Sequence, residues 1–210
     1  PAKNTLFISG RNFITNGTAF AEIKDKTVAT NLPLNKYLLY GSTLASTEIQ
    51  FNNINLSIPQ AKKFNAYLLD STGNSNFKIS VGEGVSVFGV SSESPTGIIV
   101  DNFSFRGNSG QEFAGFDSVF LQTINKLHTY DLIIMQYGVN LFDKPSDVKF
   151  DWYYQPMKKS VAKLKNCFTE ADIVLLGCAD RSFRYNNEYA SAKGLPVIIN
   201  MQQKIAFENG

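Results

Sequence analysis

The chain has 210 residues, 43% of them hydrophobic, which is enough to bury a core and too many for a disordered tail. Lysine and arginine (20) nearly balance aspartate and glutamate (18), and no basic run exceeds Lys62–Lys63 or Lys158–Lys159, so the electrostatic footprint of a nucleic-acid binder is missing. The longest apolar runs, such as 132–135 and 173–176, fall far short of the about 20 residues that a spanning helix needs, and no membrane span is expected.

Low charge (18%) beside 17 Phe and 9 Tyr, with many Asn, Ser and Thr, suggests extended structure with polar turns, a composition common among exported proteins. A periplasmic or extracellular location is the corresponding expectation. Residues 172–178 read as a strand, and at ~3.3 Å per residue this carries Cys178 well away from Cys167, so two free thiols are expected. The sequence starts at Pro1 without a Met or a charged-then-apolar leader and stops at Gly210 straight after a helical pattern. It reads as an interior piece of a longer protein, or as a trimmed form of one.

From Thr5 to about Ser94 the pattern has period two: Ile54, Leu56, Ile58; Phe64, Ala66, Leu68; Phe77, Ile79, Val81; Val85, Val87. Turn signals separate these runs at Asn16-Gly17, Gly41-Ser42 and Ser71-Thr72-Gly73-Asn74. The spacing predicts an all-β sandwich or jelly roll over residues 1–96, with at most a helical turn near Gln60–Lys63.

After Pro95-Thr96-Gly97 the periodicity changes. An apolar run at 97–100 is followed by Phe116, Val119, Phe120, Ile124 and Leu127 at helical spacing, then by an apolar strand at 131–137. Met157, Val161 and Leu164 mark a second helix, 173–177 a third strand, and Val197, Ile198, Met201 and Ile205 a last helix. Apolar strands alternating with amphipathic helices predict, over 97–210, a parallel sheet of at least three strands covered on both faces.

In such sheets functional groups gather just past the carboxyl ends of strands. Those positions are Asp101-Asn102-Phe103-Ser104-Phe105-Arg106-Gly107-Asn108-Ser109-Gly110, then Tyr137-Gly138-Val139-Asn140, then Cys178-Ala179-Asp180-Arg181-Ser182. The glycines of the first loop let a backbone amide approach a ligand closely, or merely shape a turn before the helix. Asn140 can donate its amide to a developing oxyanion or can simply cap a turn. Neither a Walker loop nor a G-x-G-x-x-G is present.

Taken together, the order D-N-F-S-F-R-G-N-S-G, helix, Y-D-L-I-I-M-Q-Y-G-V-N, helix, A-D-I-V-L-L-G-C-A-D-R-S resembles the middle of an SGNH (GDSL-type) hydrolase. It is most similar to the bacterial members with a β domain inserted after the nucleophile block, acetylesterases and lipase-like enzymes. The resemblance covers residues 97–210 well and the β region more loosely. It implies an α/β architecture, a β-sandwich (jelly-roll-like) domain followed by the central part of a three-layer α/β/α hydrolase domain. It further implies an oxyanion hole built by the Gly110 N–H and the Asn140 side chain. Leu141 stands where the family often has an Asp after that Asn.

Two parts of the family pattern are absent from the sequence. There is no Gly-Asp-Ser to supply a nucleophile and no Asp-x-x-His to supply a base. Leu69-Asp70-Ser71-Thr72 falls in a β-region turn and Phe116-Asp117-Ser118 in a helix pattern, while the only histidine, His128, reads as a surface residue at a helix end. A serine esterase needs the nucleophile, a base and an acid behind that base. The resemblance therefore implies that the serine lies upstream of Pro1 and the Asp/His pair downstream of Gly210, in flanking segments of the parent chain, and that the 210 residues alone are inactive.

Arg106 can pair with a substrate carboxylate or with an acid such as Asp101; Asp180 and Arg181 can line the pocket or pair with each other. Trp152, Tyr153 and Tyr154 can form a sugar-stacking platform or a hydrophobic lead-in to the next helix. Cys167, Cys178 and His128 have no zinc-type spacing, so neither a metal nor an organic cofactor is expected. The function expected is a serine O-acylesterase acting on acylated carbohydrate, peptidoglycan or another small ester. The other candidate is a noncatalytic glycan-binding or adhesion module on a degenerate scaffold of the same kind.

Overall fold

A computed structural model describes residues 13–14, 18–23, 33–72, 76–104, 106–185 and 187–210. The expected turn at Asn16-Gly17, the Gly73-Asn74 pair, the onset near Thr5 and Phe105 lie outside the described residues. The fold is mixed α/β, with antiparallel sheets and, among the described residues, three α-helices. It divides into two compact units, Pro1–Phe103 and Ser104–Gly210.

The first unit is one antiparallel sheet of β1 (Phe13–Ile14), β2 (Ala19–Ile23), β3 (Asn35–Phe51), β4 (Ile54–Asp70), β5 (Phe77–Val81) and β6 (Val85–Glu93), in the order β1-β6-β3-β5-β2 with β4 also on β3. One side of β3 pairs with β4; the other pairs with β6 over Asn35–Ser42 and with β5 over Ile49–Phe51. The residues of β3 that face the core change parity, from Lys36, Leu38, Tyr40 and Ser42 to Thr47, Ile49 and Phe51. A regular strand cannot do this, because its side chains alternate strictly. The change is made where the ladder slips between Ser42↔Ala61 and Ser46↔Pro59. The extra residues of this bulge bend β3, so that Leu38, Tyr40 and Ile49 join Ile58, Ile79, Val81 and Val85 in one core.

Gly41-Ser42, read from sequence as a turn, therefore lies inside β3 at its bend. A Cβ on Gly41 would come within 2.8 Å of the Lys63 carbonyl, so the glycine serves a close backbone approach. Gln60–Lys63 is strand, not a helical turn. The turn that joins β3 to β4 is Asn52–Asn53, both at positive φ (47° and 70°), the conformation a two-residue hairpin requires. Among the described residues no α-helix precedes Ser118.

In the second unit, a 3₁₀ turn (Gln111–Gly115) leads to α1 (Ser118–Leu127), β7 (Leu132–Gln136), a short 3₁₀ turn (Val139–Leu141), α2 (Asp151–Cys167), β8 (Asp172–Leu176), the hairpin β9 (Ser182–Tyr185) and β10 (Glu188–Ser191), and α3 (Leu195–Asn209). Strands β7 and β8 pair in parallel, Leu132↔Asp172 through Gln136↔Leu176. The helices fall where the apolar period puts them. Asp117 is the N-cap of α1, accepting the Phe120 N–H at 3.0 Å, so the Phe116-Asp117-Ser118 look-alike has a structural use just before the helix. His128 is the C-cap of the same helix.

Residues 97–100 form no strand, and Ile98 and Val100 are 95% and 85% exposed. A four-residue apolar run becomes a strand only against a partner edge, and neither β7 nor β8 pairs with it. The described parallel sheet therefore has two strands rather than three. It is also covered on one face only: Leu132, Ile134, Val174 and Leu176 are all at least 41% exposed, while Met135 opposite is buried. Finally, the β9–β10 hairpin goes unread in the sequence, although Ser182-Phe183-Arg184-Tyr185 alternates and Asn187 takes the positive φ (66°) of a turn.

Candidate functional site

The three loops singled out from sequence do not contribute equally. The loop after β7 is locked to Gly110 on one side and to the loop after β8 on the other, by contacts that exclude side chains. Gly110 has φ of 91°, and a Cβ there would lie 2.7 Å from Tyr137 Cδ2. Gly138 has φ of 122°, and its Cβ would lie 2.8 Å from Cys178 Sγ. Both glycines are thus required by backbone conformation and by space.

Buried polar side chains complete the packing. Gln202 of α3, 2% exposed, accepts the Cys178 N–H at 2.8 Å and donates to the Tyr137 carbonyl at 2.8 Å, bridging the carboxyl ends of β7 and β8. Tyr153 of α2, fully buried, donates its hydroxyl to the Ser109 carbonyl at 3.0 Å. Ser160, also fully buried, donates to the Gln111 carbonyl and accepts the Ala114 N–H, tying the 3₁₀ turn to α2. Each leaves its own backbone or side-chain partners satisfied, as low-dielectric surroundings demand.

The expected oxyanion donors are brought to one loop. The Asn140 Nδ2 donates to the Asn108 carbonyl at 2.7 Å, two residues from Gly110. The Gly110 N–H points to an internal acceptor, the Glu112 carboxylate, at 2.8 Å. Glu112 also accepts the Ser109 N–H, at 3.2 Å, and the Ser109 hydroxyl, at 3.0 Å. The S-x-x-E spacing at 109–112 is the signal by which Glu112 is legible in the sequence, although the N-cap of the 3₁₀ turn is Gly110 rather than Ser109.

Burial sets the protonation of the neighbouring groups. It pushes the Tyr153 phenol up to about 12, against the opposing hydrogen bond with Gln202. It pushes the Cys178 thiol up to about 11, helped by the negative charge of Asp180. Tyr137 is raised by burial and then by Glu112. Cys178 is consequently a neutral thiol at physiological pH and no nucleophile. Both cysteines are free and buried.

Arg106 is exposed, in the turn before Asn108. Asp180 accepts the hydroxyls of Ser182 and Ser191, each at 3.0 Å, and so fastens the base of the β9–β10 hairpin. Arg181 stacks over the Phe183 ring at 5.2 Å. Trp152, Tyr153 and Tyr154 do not make one platform: Tyr153 is buried, Tyr154 binds Glu208, and Trp152 alone is well exposed, at 55%. Asp70, in the other look-alike motif, ends β4 and accepts the ammonium of fully buried Lys36 at 3.0 Å.

No family model and no curated protein matches the sequence. Among solved structures, the chain is similar to a peptidoglycan O-acetylesterase, with a TM-score of 0.69 and 13% identity over 93% of this chain and 63% of that one. Family two carbohydrate esterases also align, from Cellvibrio japonicus (TM-score 0.29, 12% identity, 93% of this chain and 78% of that one) and from Clostridium thermocellum in complex with cellohexaose (0.29, 8%, 94% and 79%). The last two scores are too low for the pairs to count as one fold. The first likeness establishes the fold, that of an esterase, and the chain spans somewhat under two thirds of that protein's length. No helix among the described residues is long and apolar enough to cross a membrane.

Proposed function

We propose that the chain is part of an SGNH-type serine O-acylesterase that removes acetyl groups from carbohydrate or peptidoglycan outside the cytoplasm. In this reading residues 1–96 are a sandwich-like, jelly-roll-like domain and 97–210 the central part of the hydrolase domain. The observation that carries it is the contact of the Asn140 amide with the Asn108–Gly110 turn, beside the carboxyl ends of two parallel strands, on a fold similar to that of a peptidoglycan O-acetylesterase.

The amide nitrogen of Asn140 carries two protons, and Asn108 takes one. The second donates to the oxyanion of the tetrahedral intermediate, together with the Gly110 N–H once Glu112 releases it. Arg106 and Asp180, both exposed, contact polar groups of the substrate. A serine attacks the acyl carbon, a histidine takes its proton, and an aspartate orients that histidine. In this reading the three are supplied by flanking segments of the parent chain.

The test is hydrolysis of p-nitrophenyl acetate. The 210-residue chain should not exceed background, and the complete gene product should turn over and lose roughly 10²–10³ in kcat on Asn140→Ala. Activity in the bare chain, or indifference of the complete protein to that substitution, would refute the assignment. The hold of Glu112 on the Gly110 N–H favours a second reading, a noncatalytic glycan-binding or adhesion module. A gene lacking both Gly-Asp-Ser and Asp-x-x-His around this segment would support that one instead.

A further inference from the structure

The loop between Asn140 and α2 borders an open cleft of about 370 Å³, lined by Leu141, Asp143, Ser146, Asp147, Lys149 and Trp152 among others. That volume lies within the about 300–1,000 Å³ of small-molecule sites. Leu141 closes the 3₁₀ turn that carries Asn140, so the cleft opens next to the candidate oxyanion donor. Nothing in the site described above uses it.

The loop is held rigid from beneath. Phe142 and Phe150, each 3% exposed, meet edge to face at 5.1 Å and close its base. Asp147 Oδ2 accepts the N–H groups of Asp143 (2.9 Å) and Lys144 (2.7 Å). The Lys193 N–H donates to the Pro145 carbonyl at 2.9 Å, and a Cβ on Gly194 would run into the Asp147 carbonyl and the Phe150 ring. A compact loop of this kind is preorganised, so a ligand does not have to order it.

What the rigid frame presents is specific in chemistry. Trp152 keeps 55% of its surface exposed although a tryptophan is among the costliest side chains to leave in water. Around the indole stand two carboxylates, a hydroxyl and one ammonium. The excess of carboxylate disfavours an anionic ligand and suits one rich in hydroxyl donors. A pyranose ring has an apolar C–H face for the indole and a rim of hydroxyls for the carboxylates.

We propose that this cleft is a saccharide subsite, in which a neutral pyranose ring stacks on Trp152 and donates hydroxyl hydrogen bonds to Asp143 and Asp147. Asp147 Oδ1 is available for this because only Oδ2 serves the loop. The subsite places a glycan chain beside Asn140, and it rests on the esterase reading only for the choice of saccharide.

Trp152 is the single tryptophan of the chain, so intrinsic emission reports this cleft alone. Chitotetraose, which carries no O-acetyl ester, is titrated into the 210-residue chain. A saturable blue shift of the emission is expected, with heat of binding by calorimetry. Trp152→Ala should weaken the calorimetric affinity about tenfold or more, as truncation of a central aromatic anchor does. Asp143→Asn, an exposed and isosteric change, should weaken it measurably with an unaltered melting curve. Absence of any shift or heat at millimolar sugar, or binding heat that Trp152→Ala leaves unchanged, overturns the subsite. Hydrolysis does not enter these readouts. A chain that binds chitotetraose while the complete gene product has no esterase activity keeps the subsite and loses the esterase. A hydrolase whose KM for acetylated oligosaccharide ignores Trp152→Ala does the reverse.

Discussion

Glu112 Oε2 holds the Gly110 backbone N–H at 2.8 Å, so the donor expected to face an oxyanion faces a carboxylate of its own loop. Two further donors from Ser109 share that carboxylate. The turn is therefore preformed around a negative charge before any substrate arrives.

Replacing Glu112 by alanine leaves the Ser109 and Gly110 N–H groups and the Ser109 hydroxyl without their acceptor in a half-buried turn. The expected loss is about 1–3 kcal/mol in urea unfolding. Glu112→Gln keeps one acceptor oxygen and should lose less. The Gly110 amide proton should move upfield by NMR in the alanine variant; an unmoved resonance would contradict the hydrogen bond.

Gln202 connects segments 24 and 65 residues away through one buried amide. Leucine at this position fills similar space but leaves the Cys178 N–H and the Tyr137 carbonyl unpaired, an expected cost of about 2–4 kcal/mol. Because the β7 and β8 ends then separate more easily, Cys178 should also react faster with a disulfide reagent. Equal rates in wild type and Gln202→Leu would speak against the bridge.

Alkaline pH should weaken the fold. Cys178 and Tyr153 have folded values pushed up to about 11 and about 12, above the ordinary 9.0 and 10.0. The unfolded chain therefore loses these protons first, and the stability they confer is complete below pH 9 and is lost as pH rises through 11 and 12. Urea midpoints should fall over that window, and Tyr153→Phe should flatten the upper part of the fall. A midpoint constant to pH 12 would refute the shifts.

In the first unit, Asp70→Asn should destabilise. Burial by itself raises the Asp70 carboxyl, but the hydrogen bonds from Thr72 and Lys36 outweigh it and the net shift is downward. The stability this confers is present above the ordinary value of 3.8 and is lost as pH falls through the folded value. The asparagine can still offer one acceptor oxygen, but it leaves the fully buried Lys36 ammonium, which also donates to the carbonyls of Leu34 and Thr72, without a compensating negative charge. The expected cost is about 2–4 kcal/mol, below that of a fully buried pair because Asp70 keeps some contact with water. Lys36→Met with Asp70→Asn should recover part of it; a double variant as weak as the single one would contradict this.

Elements whose signal is local are legible in the amino-acid sequence. Helices α1, α2 and α3 and strands β7 and β8 lie where apolar period places them. Gly138 and Asn140 follow the end of β7, while Gly110 precedes a 3₁₀ turn, and both glycines take a positive φ. The remaining features depend on contacts between distant segments. Whether residues 97–100 become a strand depends on a partner edge, which no window of four residues contains. The bend in β3 depends on a ladder slip against β4, visible only once both strands are paired. Gln202 reads in sequence as one more polar residue on a helix, and it becomes the bridge between two strand ends only when α3 packs against them. Hydrogen bonds that close over tens of residues have no period and leave no local trace; their cost and their reward arise only when burial removes water from both partners.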